Sequence, residues 1–93
     1  MNKKIELDEA LQNLGVQYYT KIGDGKRASF YVSISEYKKE TRVMFLTVNE
    51  RSAWIGGKYS LPADLIHDLI LSLMRVEDKL EKMKRRQAYE ERG

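Results

Sequence analysis

Residues 66–83 read IHDLILSLMRVEDKLEKM. Within them Ile66, Leu69, Leu73, Val76, Leu80 and Met83 recur at spacings of 3, 4, 3, 4 and 3. This is the heptad signature of a helix that packs along another helix. The apolar face is broad at first, where Leu65 and Ile70 flank the seam. It then narrows to Val76, Leu80 and Met83, and Gln87 and Glu90 take the next seam positions. Between Pro62 and Glu90 no glycine or proline interrupts the pattern. The expectation is a helix over residues 62–90, roughly 40 Å long at 1.5 Å per residue. Pro62 suits its first position, and Asp64 suits the positive end of its dipole. Its first half would cover the chain's own sheet while the seam continues into a second chain. Ile66, Leu69, Leu73, Val76, Leu80 and Met83 are thus expected at a dimer interface.

Upstream the period changes from helical to alternating. Residues 27–36 place Ala28, Phe30, Val32 and Ile34 on one side and Arg27, Ser29, Tyr31, Ser33 and Ser35 on the other, a half-buried strand with Phe30 in the core. Residues 16–22 alternate similarly, with Val16, Tyr18, Thr20 and Ile22 opposite Gln17, Tyr19 and Lys21. Gly23-Asp24-Gly25-Lys26 is a turn signal. After the charged turn Glu36–Glu40, residues 41–49 form a third strand that is apolar on both faces. It is either covered on both sides or open on one side to a partner. Residues 53–60 make a fourth strand, bulged at Gly56-Gly57. In front of all this, Leu7, Ala10, Leu11 and Leu14 form one stripe of a short helix over 6–14, with Gly15 as its stop. The fold class is α+β: a four-stranded antiparallel curved sheet over 16–60, a long C-terminal helix with a heptad seam, and a short N-terminal helix. The 93 residues are read as a single domain.

Composition narrows the chemistry. There is no cysteine, which removes disulfides, thiolate metal sites and cysteine nucleophiles. His67 is the sole histidine, and no HExxH or CxxC spacing occurs. Asp64 and Asp68 share a helix face, which reads as a solvated face rather than a cation site. Gly56-Gly57 lacks the Lys-Ser/Thr that follows a phosphate loop. No enzyme class, metal or cofactor is implied. The opening residues lack the apolar run of a signal peptide, and no segment approaches the roughly 20 apolar residues of a membrane span. The expectation is a cytoplasmic protein without a membrane partner. The basic tail around Lys84-Arg85-Arg86 reads as a solvated helix end.

Aromatic placement is the functional signal. Of nine aromatic residues, eight fall between Tyr18 and Tyr59. The same region is basic, with eight Lys/Arg against four Asp/Glu over residues 20–60. Rings interleaved with cations on a sheet suit single-stranded nucleic acid, because bases stack on rings while Lys and Arg neutralise phosphates. Tyr19, Tyr31 and Trp54 are expected to stack bases, and Lys21, Arg27, Arg42 and Lys58 to hold the backbone.

Four strands leading through Gly57-Lys58-Tyr59-Ser60-Leu61-Pro62-Ala63-Asp64-Leu65 into a long helix resemble small single-stranded-DNA-binding dimers, namely the family of the transcriptional coactivator positive cofactor four and the archaeal ThermoDBP-like proteins. The local similarity runs from Lys58 to about Leu69, and the order of elements extends it over most of the chain. Tyr59 stands where the coactivator pattern has an aliphatic residue, and the longer helix favours the ThermoDBP-like comparison. The resemblance implies a sheet that meets DNA, helices that help form the dimer, and Lys58 as a phosphate contact. The functional expectation is a homodimer, or a tetramer, that binds single-stranded DNA ahead of RNA without sequence preference. The alternative is a protein-interaction or regulatory dimer, such as a small viral or mobile-element protein, that docks through Val43 and Phe45 of the third strand.

Overall fold

The structure, a computed structural model, describes residues 3–92, and the side chains of residues 6–88 and 90. The side chains of Tyr89, Glu91 and Arg92 in the basic tail lie outside the described residues. The chain divides into two compact units, residues 1–63 and residues 64–93.

The first unit is a helix on a sheet. Helix α1 (Lys3–Asn13) precedes strands β1 (Val16–Asp24), β2 (Ser29–Tyr37), β3 (Glu40–Asn49) and β4 (Trp54–Pro62), paired antiparallel in the order β1-β2-β3-β4. Helix α1 ends where its stripe ends. Gly15 takes a φ of +80° and its N–H donates to the Gln12 carbonyl at 2.9 Å, the left-handed stop that glycine allows at no steric cost. Leu7 and Leu11 lie four residues apart and pack on Val16, Tyr31, Leu46 and Val48. Fully burying a leucine stabilises by roughly 1.5–3 kcal/mol, which gives so short a helix a reason to form.

The faces of β2 are the reverse of the sequence expectation. Ser29, Tyr31, Ser33 and Ser35 are buried, whereas Phe30 is 45% exposed and Ile34 is also exposed. Three small serines leave room for the helix to approach the sheet, and Ser33 satisfies its hydroxyl by donating to the Met44 carbonyl at 3.0 Å. In β1 the register slips between Val16 and Tyr18. Val16 therefore joins the covered face while Tyr18, Thr20 and Ile22 fall on the other. Strand β3 is apolar on both sides, as its sequence indicates: Leu46 and Val48 are 2% and 0% exposed in the core, while Val43 and Phe45 take the opposite parity.

Two turns carry backbone strain. The β2–β3 connection is a two-residue hairpin closed by the Tyr37–Glu40 pair, with Lys38 at φ 51° and Lys39 at φ 67°. Such a turn favours Asn-Gly, because left-handed backbone costs other residues roughly 1–2 kcal/mol each. Ala53 has φ 57° at the end of the β3–β4 turn. There Asn49 Oδ1 accepts from the N–H groups of Arg51 and Ser52 at 3.0 and 3.3 Å.

Strand β4 is bulged at Gly56-Gly57, opposite Thr47, as expected. Pro62 departs from the expectation: it ends β4 opposite Arg42 rather than opening the helix. An edge strand tolerates its missing N–H.

The second unit, described by itself, is one turn of 3-10 helix (Ala63–Leu65) followed by helix α2 (Ile66–Arg92), 27 residues and so about 40 Å long. Asp78–Lys82 and Glu81–Arg85 ion pairs at 3.1 and 2.8 Å support its exposed faces, each worth about 0.3–0.5 kcal/mol. Leu73, Val76, Leu80 and Met83 are about half exposed, so the seam stripe is uncovered. Among the described residues no helix is long and apolar enough to cross a membrane.

Candidate functional site

The seven residues expected to bind nucleic acid do not form one surface. Four of them build the covered side of the sheet. Tyr31 is only 7% exposed. Its hydroxyl donates to Glu50 Oε1 at 2.8 Å, and its ring centroid lies 5.8 Å from that of Tyr19. Burial, aided by that carboxylate, pushes its pKa up to about 12. Tyr19 is half-buried and donates its hydroxyl to Asp8 of α1, which raises its pKa. Lys21 Nζ sits between Asp24 and Glu50 at 2.6 and 2.8 Å. Those two carboxylates hold the Lys21 pKa above its ordinary value, and Lys21 in turn holds both of theirs below the usual range. Arg42 donates from Nε to Ser60 Oγ at 3.0 Å and pairs with Glu40 at 2.9 Å.

These four side chains already have partners. A ring sealed under α1 offers no face to a base, and a cation held by two carboxylates is neutralised before a phosphate arrives. On this geometry Tyr31 and Lys21 tie β2 and β1 to the β3–β4 turn, Tyr19 ties β1 to α1, and Arg42 ties β3 to β4. Ser29 extends the network by donating to Asp24 at 2.7 Å.

The remaining three are accessible. Trp54 is 67% exposed. Its ring lies over Gly56, where an added Cβ would come within 2.8 Å of the ring and 2.9 Å of Thr47 Oγ1. Glycine is needed for that close approach. Arg27 and Lys58 are exposed as well.

The alternate face of the sheet brings together residues that sequence reasoning had placed inside. Register pairs Tyr18 with Ile34, Thr20 with Val32, Val32 with Phe45, Phe30 with Thr47, and Phe45 with Tyr59. No charged residue occupies these positions. Tyr59 is 67% exposed, and Tyr18 and Ile22 are similarly open. Ile22, Phe30, Phe45, Thr47, Lys58 and Tyr59 line a groove of about 290 Å³, to which Tyr31, Leu46 and Gly57 also contribute. Val43, by contrast, is buried, so the third-strand contact face considered in the sequence is only partly available. The signal that could have found this face is the composition of β2: three serines on one side suit an approaching helix, and the bulkier side is then left outward.

Charge is sorted around this face. Residues 1–63 carry ten Lys/Arg against seven Asp/Glu, while residues 64–93 carry seven of each. Among the described residues the acids of the sheet are engaged: Asp24 and Glu50 by Lys21, Glu40 by Arg42, and Glu36 by Gln17 at 2.9 Å. Lys26, Arg27, Lys38, Lys39, Arg51 and Lys58 are exposed and take no part in the ion pairs among the described residues. Lys26 and Arg27 form the tip of a tight turn in which Gly25 N–H donates to the Ala28 carbonyl at 2.8 Å. A Cβ at Gly25 would fall 2.8 Å from the Phe30 ring, which places this tip beside the open face. Lys38 and Lys39 stand at the other end of β2.

His67, Asp64 and Asp68 belong to the second unit and are exposed. Among the described residues no three His, Asp or Glu side chains gather as a metal site. No family model, curated protein or solved structure matches this chain.

Proposed function

We propose that this protein binds single-stranded nucleic acid, DNA ahead of RNA, on the open face of its sheet, without sequence preference and without turnover. One observation carries the reading: the paired positions of the open face from Tyr18 across to Tyr59 are uncharged and rich in rings, and in the sheet and its turns six cations stand outside the described ion pairs against one carboxylate, Glu36. Tyr18, Phe30, Phe45, Trp54 and Tyr59 replace Tyr19 and Tyr31 as the stacking set. Stacking of a base on a ring is worth about 1–3 kcal/mol and tolerates any base. Lys26, Arg27 and Lys58 hold the phosphates, and binding releases the counterions those phosphates had condensed. Lys21 and Arg42 remain structural.

The binding unit is a homodimer joined through α2. The support is the half-exposed seam Leu73, Val76, Leu80 and Met83 on a helix with i,i+4 ion pairs on its outer faces. A lone helix with that stripe leaves apolar surface in water, and a second copy removes it. The dimer then presents two sheet faces.

A second reading has its own support. Ile22, Val32 and Ile34 add aliphatic side chains to the open face, as a protein-docking surface would have. The two readings part in one titration. Trp54 is the sole tryptophan, so its fluorescence reports on the face directly. Oligothymidylate added at 50 mM and 200 mM salt should change that fluorescence, with clearly weaker binding at the higher salt. No change at low salt, or binding indifferent to salt, contradicts the nucleic-acid reading and leaves the protein-docking one.

A further inference from the structure

The β2–β3 hairpin tip combines three properties that fold stability does not call for. First, its two turn residues are lysines in left-handed backbone, Lys38 at φ 51° and Lys39 at φ 67°, where Asn-Gly would be unstrained. A strained conformation kept at an exposed turn points to use rather than to stability. Second, the tip keeps a cationic excess. Glu40 is paired with Arg42 at 2.9 Å, and Glu36, which accepts from the neutral Gln17 amide at 2.9 Å, is one carboxylate against two lysines that take no part in the ion pairs among the described residues. Third, an exposed aromatic stands beside them: Lys38 Nζ lies 5.3 Å from the centroid of the Tyr37 ring, which is open to solvent. Lys38 and Lys39 also line a recess of about 490 Å³ with Gln12, Gln17 and Glu36, in which the Gln17 amide is already given to Glu36.

We infer that Tyr37, Lys38 and Lys39 form a second anchoring point for the sugar–phosphate backbone, at the end of the sheet away from Lys26 and Arg27. This deepens the reading of the open face as a single-strand site and rests on it. Nine residues of β2 separate the two cationic ends, about 30 Å of extended strand. A nucleic-acid strand laid along the aromatic face would meet cations at both ends. The lysines neutralise phosphates at the hairpin tip, beyond the end of the aromatic face, and the exposed Tyr37 ring beside them takes a base.

The test is the double variant K38N/K39G, which installs the favoured turn pair. It should unfold at a higher temperature than the wild type. At the same time it should bind oligothymidylate more weakly at low salt. Its slope of log K against log salt should be shallower by roughly 1.4, the release of about 0.7 counterion per lost phosphate contact on a single strand. K38R/K39R should keep the wild-type slope. A stabilised K38N/K39G with unchanged affinity and slope overturns the tip as an anchor while leaving the open face intact as a site. If the wild type binds no oligothymidylate at low salt, both the tip and the reading it rests on fall. K38Q/K39Q, which keeps long side chains in the same turn, should reproduce the loss of slope; if it does not, the effect of K38N/K39G came from the backbone and the anchor is refuted.

Discussion

On the face that α1 covers, Leu11, Leu46 and Val48 are almost wholly excluded from solvent, and the polar groups among them are all engaged. Tyr31 reaches Glu50, Tyr19 reaches Asp8, and Ser33 reaches a backbone carbonyl. Among the described residues no buried side-chain nitrogen or oxygen lacks a partner. The opposite face of the same strands is also rich in rings, and there Phe30, Trp54 and Tyr59 stand open. The contrast teaches that an aromatic residue in a basic strand says little until the fate of its polar end is known. A tyrosine whose hydroxyl is already bonded to a carboxylate belongs to the fold. One left in water beside unpaired lysines is available to a ligand.

The sharpest way to break the comparison is to truncate one residue on each side. Leu46→Ala should lose about 2–5 kcal/mol of stability in chemical denaturation, as buried leucine truncations do. Phe30→Ala, on the open face, should lose less than about 1 kcal/mol. Equal losses would mean that both faces are core. Next in size is the second unit. If α2 pairs two chains as proposed, Leu73→Lys and Leu80→Lys should each give a monomer in light scattering where the wild type gives a dimer, since each puts a charge in the seam. If both variants remain dimeric, the seam is not the interface.

Function divides the faces in the same way. Trp54→Ala and Tyr59→Ala should each weaken oligothymidylate binding by about 1–3 kcal/mol, the first read by anisotropy of a labelled oligonucleotide. Tyr31→Phe should leave binding unchanged and lower stability by about 1.5–3 kcal/mol, the value of one hydrogen bond to a charged group. In an alkaline spectrophotometric titration the same variant should lose a tyrosine that ionises near pH 12.

The smallest effect is the pH dependence of the Lys21 network. Its carboxylates, Asp24 and Glu50, are held below their ordinary values of 3.8 and 4.5. A lowered folded pKa contributes stability above the unfolded value and loses it as pH falls through the folded one. The melting temperature should therefore drop below about pH 4, and Lys21→Met should show a shallower drop. An identical acid profile would remove the network from the account.

Much of this fold was legible in the sequence because the signals are local. Gly15 marks the end of α1, Gly56-Gly57 marks the bulge, and the heptad spacing marks α2. The sign of the sheet was not legible. Alternation separates Phe30, Val32 and Ile34 from Ser29, Tyr31 and Ser33, but not which set the single short helix will cover. The register slip after Val16 then puts β1 residues of one parity on opposite faces. The site suffered for the same reason. The Tyr31–Glu50 bond spans 19 residues of sequence, and a pairing of that range leaves no periodic trace. Lys21 and Arg42 looked like free cations although Asp24 and Glu40 lie only three and two residues away in the same strands, because strand alternation does not show which close neighbours pair; Glu50 alone comes to Lys21 from a distant turn.

Nuclear magnetic resonance of the aromatic side chains tests the central claim most directly, because rings on the two faces report separately. Adding a short oligothymidylate at low salt should shift the ring signals of Phe30, Phe45, Trp54 and Tyr59 and leave those of Tyr19 and Tyr31 in place. Shifts at Tyr19 and Tyr31 with the open-face rings unmoved, or no shifts on either face, would contradict it.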